Sequence, residues 1–453
     1  MPVRNFLVIL VVAVVSYACY SVTAKNRYAN LFAEVLEIVN KEALDEMPQD
    51  KLFNNAMNGM LKDLDDHCLF ISGNRFRDFT EEMQQEFGGV GMYVGMDPEN
   101  ETLMVLAPMP NTPAHEAGIQ VGDLIISIAG EPTAGKPRAE AVKELRGPVG
   151  ETVDLQIQRG SDTLFKTLTR AKISIESIHG DFRKSDGTWN YFLKDNPEIG
   201  YIRLSQFGEV SSDETKAALR SLPKNVTGLI LDLRGNPGGL LNIAVEICDM
   251  FLEEGLPIVR IRGRGKTLIH EYESTAGTEL PIDLPVCILI NRESASASEI
   301  VSGCLQDHGR AVLVGEQSYG KGTVQDVIPI QQNKSLLKLT TASYWRPSDR
   351  PIDRNTEIAK KTKVWGVQPD TGFALEISVE ELIQNFKQRT SLQLNGLGLD
   401  SEQSDSDASA GDTEEGAPSD DATDADAKEP HVDRPLMKAI EYLKSRSTIK
   451  LAA

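Results

Sequence analysis

Two short segments contain a serine and a lysine at positions where they could form a hydrolytic site. Residues 291–299 read NRESASASE and include Ser296, and residues 318–325 read SYGKGTVQ and include Lys321. A serine hydroxyl needs a base to become a nucleophile, and a lysine can be that base when its surroundings keep the amine unprotonated. The pair therefore indicates a serine/lysine hydrolase.

The nucleophile itself is ambiguous from the residues alone. Ser296 stands three residues before Glu299, which is the spacing of a helix N-terminal capping box and a complete structural explanation of the pair. A strand that leads through small residues into a helix can also expose a hydroxyl and leave free N–H groups for an oxyanion. Ser296 is thus a cap or a nucleophile, and Ser294 and Ser298 are its rivals.

Lysine is the candidate base because no histidine is suitably placed. His308 follows Ser296 by twelve residues on one predicted helix, a distance of about 18 Å at 1.5 Å per residue. The other histidines complete no Ser-His-Asp pattern. Lys321 lies in a Gly-Lys-Gly turn, where partial desolvation can lower a lysine pKa, although most lysines are solvated surface charges. Gln325 could hold the amine by a hydrogen bond without adding charge.

A glycine-rich connection could complete the site. Residues 231–240 read LDLRGNPGGL and follow a predicted strand. A tight strand-to-helix connection explains this composition. The alternative is functional, with a backbone N–H of Gly238 or Gly239 paired with that of Ala297 to stabilise an oxyanion.

Residues 85–172 contain short β-type runs and resemble a PDZ domain. The stretch 87–92 reads FGGVGM, and closely spaced glycines let successive N–H groups point at one spot, as in a carboxylate-binding nest. The stretch 112–130 contains Ala-Gly-Ile-Xaa-Xaa-Gly-Asp-Xaa-Ile, which resembles the PDZ signature. Turns alone explain scattered glycines, but the two stretches together indicate a PDZ-like module. The candidate tail-binding residues are Gly89, Val90, Gly91 and Met92.

The remaining folded parts are helical and α/β. Residues 28–84 include apolar positions at helical spacing, and Asp65-Asp66-His67 ends the helical pattern. From residue 173 to 396, apolar strands alternate with helices, which predicts an α/β core with a largely parallel sheet. The predicted strands are 199–204, 228–233, 286–291, 311–315 and 336–343, and the predicted helices are 213–222, 240–252 and 296–308.

Both ends of the chain differ from a globular domain. Residues 1–25 include an uncharged apolar run that predicts export, either as a cleaved signal peptide or as a membrane anchor. Residues 397–433 predict a disordered acidic linker, and a short amphipathic helix follows at 434–447. The stretch 400–433 holds thirteen acidic residues and one lysine, so it contributes about twelve of the net charge of −20. The rest is only mildly acidic, which argues against nucleic acid as a partner.

The motifs, in this order, resemble the carboxyl-terminal processing proteases, a PDZ-containing family of serine/lysine peptidases. The resemblance extends over residues 30–385. The family's nucleophile falls on Ser296, its base on Lys321, its lysine-orienting glutamine on Gln325, and a gating arginine of some members on Arg146. The matching stretches are DLRGNPGG (232–239), SASASEI (294–300), LQDHGR (305–310) and GKGTVQ (320–325). Residues 344–352 and the acidic insert depart from the family pattern.

The resemblance implies a ClpP/crotonase-like core with an inserted PDZ domain. It implies an exported, periplasmic or otherwise extracytoplasmic, serine endopeptidase that cleaves proteins near their C-termini, with the PDZ domain binding the tail and gating activity. Its partners would be protein or peptide substrates with free C-termini, and the membrane if residues 1–25 are retained. No metal or cofactor is expected, and the oligomeric state is left open, with a dimer among the alternatives.

Two other functions are weighed against this one. A catalytically inactive scaffold of the same fold would bind protein C-termini without cleaving them, but an intact Ser296, Lys321 and Gln325 set speaks against it. A different serine hydrolase, such as an esterase, would ordinarily use a histidine base and has no need of a tail-binding module.

Overall fold

The computed structural model describes residues 5, 10–14, 16, 27–72, 86–97, 100–109, 111–184, 188–275, 277–330, 335–395 and 431–452. The helices are α1 (Arg27–Glu42), α2 (Gln49–Lys62), α3 (Pro113–Glu116), α4 (Arg138–Leu145), α5 (Ser211–Ser221), α6 (Leu241–Asp249), α7 (Ala297–Asp307), α8 (Glu357–Thr362), α9 (Val379–Asn395) and α10 (Arg434–Ala452), with a 3₁₀ turn at Arg264–Lys266.

The strands are short and numerous. They are β1 (Leu69–Ser72), β2 (Glu86–Gly89), β3 (Met92–Met96), β4 (Leu103–Pro108), β5 (Leu124–Ile128), β6 (Glu131–Pro132), β7 (Thr152–Arg159), β8 (Asp162–Thr169), β9 (Ala171–Ser174), β10 (Ile178–His179), β11 (Phe182–Arg183), β12 (Trp189–Asn190), β13 (Phe192–Leu193), β14 (Asn196–Leu204), β15 (Gly228–Asp232), β16 (Pro257–Arg262), β17 (Leu268–Glu273), β18 (Val286–Ile290), β19 (Val312–Gly315), β20 (Thr323–Ile330) and β21 (Ser335–Trp345).

The chain folds into two compact units, of which the first comprises Met1–Phe76 and Gln325–Thr340. Its α2 helix ends near Asp65, whose carboxylate accepts hydrogen bonds from the backbone N–H groups of His67 and Cys68. This agrees with the end predicted from the sequence. Strand β1 then pairs antiparallel with the first residues of β21.

The second unit comprises Arg77–Val324 and Thr341–Ala453, and its centre is a parallel sheet. Strands β14, β15, β18 and β19 lie side by side in that order, all parallel, with β10 and β13 pairing antiparallel to β14. Every residue of β15 and β18 is buried, because helices cover both faces. The α/β fold with a largely parallel sheet is therefore confirmed.

Alternate residues of these strands belong to different parts of the core. On one face Leu229 and Leu231 pack with residues of α6 and α7, and on the other face Ile230 packs with Ala439 and Leu443 of α10. The helix predicted at 434–447 thus forms, extends to Ala452 and covers one face of the sheet.

The fifth predicted strand has a different role. Residues 336–343 lie within β21, which pairs antiparallel with β1 and with β16 and is not part of the parallel sheet. In the second unit, Ser343, Tyr344 and Trp345 pair with β16, which in turn pairs with β17.

The PDZ-like module is also in the second unit. Five antiparallel strands follow the order β3-β4-β5-β7-β8, with β6 at the end of β5, and α3 and α4 pack beside them. Its core includes Leu103, Val105, Ile125 and Ile157, all of them fully buried.

Several predictions fall on residues that the structure does not describe. Most of the predicted membrane-directing segment and residues 397–430 of the predicted acidic linker are outside the described ranges. Within those ranges, no helix has both the length and the apolar composition to span a bilayer.

Candidate active site

Ser296 lies at the junction between β18 and α7, in a backbone conformation that is uncommon for a residue with a side chain. It is the N-cap of α7, with φ 55° and ψ −113°. Positive φ brings Cβ close to the backbone and is strained, so the surrounding structure must hold the residue there. Ser296 is 8% exposed, and Glu299 completes the capping box that the sequence predicts.

The two rival serines have structural roles. Ser294 donates its hydroxyl to the Leu233 carbonyl at 2.9 Å, and Ser298 donates to the Asn236 carbonyl at 3.0 Å. Both residues are fully buried. Their protons are engaged in fixing one loop against the other, which leaves Ser296 as the hydroxyl of the three best placed for chemistry.

Glu299 connects the serine loop to the lysine loop. One carboxylate oxygen accepts the backbone N–H groups of Ser296 and Lys321, each at 2.8 Å. The other accepts the Ser318 hydroxyl at 2.5 Å and the Gly320 N–H at 2.6 Å. Burial raises the pKa of Glu299 to about 7, against these four hydrogen bonds, which lower it. A single buried carboxyl group therefore holds the backbones of Ser296 and Lys321 close together.

The lysine loop is fixed at a second point. Ser318, which donates to Glu299, also accepts the Val367 N–H at 2.7 Å, and its own N–H donates to the Val367 carbonyl at 3.0 Å. Tyr319 N–H donates to the Ser294 carbonyl at 3.0 Å. The backbone that carries Lys321 is thus bonded directly to the segment that carries Ser296.

The glycine-rich turn packs directly on Ser296. A Cβ atom added to Gly238, where φ is +101°, would lie 2.8 Å from the Ser296 Cβ and 3.0 Å from the Ala297 nitrogen. No side chain fits in that space, so glycine is required there. At Gly239, with φ +149°, an added Cβ would lie 2.1 Å from the Phe207 carbonyl oxygen.

The hydrogen bonds of the turn distinguish the oxyanion candidates. The Gly238 N–H donates to the Asn236 side-chain oxygen at 2.9 Å, so it is already engaged. Across the described part of the chain, neither the Gly239 N–H nor the Ala297 N–H donates to a loop carbonyl, and Ala297 is the first residue of α7, whose N–H has no acceptor within the helix. Of the three residues predicted from the sequence, Gly239 and Ala297 are therefore the ones with N–H groups available to a substrate oxygen.

Asn236 joins the turn to the serine loop. Its side-chain amide donates to the Leu204 carbonyl at 2.7 Å, and its own carbonyl accepts the Ala295 N–H at 3.0 Å. It is fully buried. The sequence interpretation gave Asn236 no role, because an asparagine in a glycine-rich segment is also an ordinary turn residue.

The predicted tail-binding loop, Gly89 to Met92, begins at the end of β2 and leads into β3. The Val90 carbonyl accepts the Ala114 N–H at 2.8 Å, and the Gly91 carbonyl accepts the Met109 N–H at 2.9 Å. With φ +76° at Gly91, an added Cβ would lie 2.3 Å from the Thr112 Cβ.

The other predicted site residues have different surroundings. Arg146 ends α4, and its guanidinium lies 4.2 Å from the centre of the Phe87 ring, beside the tail-binding loop. Gln325 belongs to the first unit, where its amide donates to the Thr340 hydroxyl at 3.2 Å. His308 caps the far end of α7, with its Nε2 2.7 Å from the Pro257 carbonyl oxygen.

Comparisons with known proteins identify relatives of this chain. The model described as Peptidase family S41 matches residues 198–372, and the model described as PDZ domain matches residues 104–159. A carboxy-terminal-processing protease of Bartonella bacilliformis is 37% identical over 341 residues, covering 72% of this chain and 74% of that protein. The carboxy-terminal processing protease CtpB of Bacillus subtilis is 31% identical over 334 residues, covering 73% and 66%. Among solved structures, a photosystem II D1 C-terminal processing protease is 26% identical with a TM-score of 0.42, covering 78% and 94%.

Proposed function

Because this chain belongs to the carboxy-terminal processing proteases of peptidase family S41, which are serine-type peptidases, we propose that Ser296 and Lys321 form its catalytic dyad. The observation that carries this proposal is the shared carboxylate of Glu299, which accepts the backbone N–H of both residues on one oxygen atom. A nucleophile and its base must be held within hydrogen-bonding reach of each other, and a common acceptor restricts the motion of both loops.

The proposed reaction proceeds through an acyl-enzyme. The Ser296 oxygen attacks the peptide carbonyl carbon while the neutral amine of Lys321 accepts the hydroxyl proton. The resulting ammonium group then protonates the leaving amine, and the peptide C–N bond breaks. A water molecule, deprotonated by the same amine, then attacks the ester carbonyl; the ester C–O bond breaks, and the ammonium group returns the proton to the Ser296 oxygen.

The negative oxygen of the tetrahedral intermediates would be stabilised by two backbone donors. The proposed donors are the N–H groups of Gly239 and Ala297, and the position of Gly238 against the Ser296 side chain supports this assignment. Donors fixed in advance stabilise the developing charge without reorganisation. Gln325 is proposed to orient Lys321, as the family resemblance implies.

The substrate is proposed to be a protein with a free C-terminus. The loop from Gly89 to Met92 would bind the terminal carboxylate through its backbone N–H groups, as other PDZ domains do. Arg146, stacked on Phe87 at the same loop, is proposed to couple tail binding to activity. Export, directed by residues 1–25, would place the enzyme among extracytoplasmic proteins.

The test replaces each member of the dyad. Ser296→Ala and Lys321→Ala should each lower cleavage of an unfolded protein with an apolar C-terminus by at least about a thousandfold, since each removes a group that acts in the reaction. Ser294→Ala is the matched control, because it removes a neighbouring hydroxyl whose bond is structural.

Three outcomes decide the proposal. Full activity in either dyad variant would refute it. Binding of the substrate without any turnover by the wild-type protein would favour the scaffold instead. Equal cleavage of a substrate and of its C-terminally amidated form would refute recognition of the tail carboxylate.

A further inference from the structure

A largely enclosed arginine begins the turn that contains the proposed oxyanion donor. Arg234 donates to Asp232 through Nη2 at 2.7 Å and to both carboxylate oxygens of Asp433 at 2.8 and 3.0 Å. The side chains of the three residues are 13%, 2% and 6% exposed in that order. Two-pronged pairing of this kind fixes the plane of the guanidinium as well as its position.

Asp433 is also the residue from which α10 begins. Its carboxylate accepts the Leu436 N–H at 3.2 Å, and its carbonyl accepts the Met437 N–H at 2.9 Å. The free N–H groups and the dipole at a helix N-terminus favour a carboxylate. One side chain therefore caps the helix that covers the sheet and at the same time holds Arg234.

A second arginine also lies close to Asp433, so the negative charge of Asp433 reduces the repulsion between two guanidinium groups. Arg389 of α9 lies 4.0 Å from Asp433, donates to Asp181 at 2.6 Å and stacks on Tyr201, with 4.5 Å between its guanidinium and the ring centre. Removal of the Asp433 charge would leave Arg234 and Arg389 in a buried region with less negative charge between them, and like charges repel strongly there.

Movement of Arg234 would be transmitted to the site through short, bonded segments. The Gly235 N–H donates to the Asn291 side chain at 2.9 Å, and the Asn236 carbonyl accepts the Ala295 N–H. Four residues after Arg234 the chain reaches Gly238, which touches the Ser296 side chain.

We propose that Asp433 is a positioning residue for peptide cleavage, which acts through Arg234 to hold the Gly235–Gly239 turn where the Gly239 N–H can stabilise the oxyanion. This role rests on the proposed function of that turn. Asp433 would act on the site only through Arg234, and it is both the last residue of the predicted acidic linker and the cap of the helix that follows.

The experiment uses the full-length protein. Asp433→Asn retains a good helix cap and nearly the same shape but lacks the charge. It should lower kcat by at least about tenfold, with KM changed less than about twofold. A displaced oxyanion donor stabilises the transition state less well but hardly affects binding of the substrate. Affinity for a peptide aldehyde, which forms a tetrahedral adduct with the serine, should fall by a similar factor. Asp433→Glu should recover part of the lost kcat.

A control separates positioning from anchoring of the helix. Leu443→Ala weakens the packing of α10 on the sheet without touching Arg234. Assayed well below its unfolding temperature, this variant should keep a kcat within about twofold of the wild type. An equal loss of kcat in Leu443→Ala and Asp433→Asn at matched stability would overturn the inference, since helix docking alone would then explain both.

The inference and the proposed function fail in different ways. Wild-type kcat and aldehyde affinity in Asp433→Asn, together with an inactive Ser296→Ala variant, would overturn only the role of Asp433. Cleavage that persists in Ser296→Ala would overturn the proposed dyad, and with it the reason for assigning Asp433 a part in the reaction.

Discussion

At the scale of single residues, the site depends on a serine held in an unfavourable backbone conformation by a buried glutamate. The left-handed φ of Ser296 has a cost, and its N–H is fixed by Glu299. The same carboxylate fixes Lys321 and Gly320. A buried carboxylate with four donors is stable only while every one of them is present.

Replacement of this glutamate by its amide should damage activity. In Glu299→Gln one oxygen becomes an NH₂ group, which faces N–H donors and cannot accept from them. We expect kcat to fall at least about a hundredfold, because displacement of either loop by about 1 Å is enough for such a loss. Ser302→Ala, one helical turn further along α7, removes a buried hydroxyl away from these bonds and should retain most activity. Steady-state cleavage rates measure both, and unchanged kcat in Glu299→Gln would contradict a role of Glu299 in holding the two loops together.

Because Glu299 titrates, the effect of Glu299→Gln on the free energy of unfolding should depend on pH. Burial raises its folded-state pKa from 4.5 to about 7. The folded protein then holds the proton more tightly than the unfolded chain, so the associated stability is complete below about pH 4.5 and is lost as pH rises through about 7. Glu299→Gln lacks this titration, and the stability difference between the two proteins should shrink over that range. Urea unfolding in the Ser296→Ala background, which avoids self-digestion, measures it; a constant difference would exclude the raised pKa.

The residues show why the sequence was only partly sufficient. The Ser-x-x-Glu spacing predicts the cap at Ser296, because a capping box is local. The bonds from Glu299 to Ser318 and Lys321 join residues about twenty positions apart, and such contacts cannot be predicted from the spacing of apolar residues. Likewise, the three neighbouring serines have nearly identical sequence surroundings, and only their buried acceptors distinguish them.

At the scale of elements, two glycine-rich turns bring backbone N–H groups to points where a substrate could meet them. The turn after β15 lies against α7, and the loop between β2 and β3 lies against the chain that enters α3. Both need positive φ and space for backbone alone.

The proposed tail-binding loop should be sensitive to a single methyl group. Gly91→Ala would place Cβ against Thr112 at φ +76°. We expect affinity for a peptide with a free C-terminus to fall at least about tenfold, since a strained φ and a clash each cost about 1 kcal/mol or more. Gly118→Ala is the control, because its φ is +70° with no atom within 4 Å of the added Cβ. Titration calorimetry with the free and the amidated peptide would compare them. If both variants lost the same affinity for the free peptide, the strained φ alone would explain the loss, and the contact with Thr112 would not contribute.

The elements of the second unit were largely predictable because their patterns are local. The runs 199–204, 228–233 and 286–291 are mostly apolar, with one polar or charged residue each, as expected of strands covered on both faces. The run 336–343 is similarly rich in β-type residues, but its direction and partner depend on distant strands. Composition indicates a strand without indicating the sheet to which it belongs.

At the scale of the whole molecule, the parallel sheet is completed by a helix from the far end of the sequence. Ala439, Ile440 and Leu443 pack on the face that includes Tyr201 and Ile230. A Cβ on Gly228 would lie 2.9 Å from Leu443, so the helix lies directly on the strand. The amphipathic pattern predicts this helix, but Asp433 is the last residue of an acidic run, and its partner Arg234 lies 199 residues away in the sequence.

Shortening one buried side chain of α10 should measure how much the helix contributes. Leu443→Ala leaves a cavity against β15 and should lower the free energy of unfolding by about 2–4 kcal/mol. Glu441→Ala, at an exposed position of the same helix, should change it by less than about 0.5 kcal/mol. Urea unfolding in the Ser296→Ala background measures both. A loss below about 1 kcal/mol for Leu443→Ala would mean that the sheet is stable without the helix.

The position of α10 in the sequence has a consequence for biosynthesis. A ribosome makes Ser296 long before it makes Asp433 and the helix that follows. Until then, one face of the central sheet is bare and Arg234 lacks one of its two carboxylates. The central sheet and Arg234 therefore reach their final surroundings only after residues 433–443 have been synthesised.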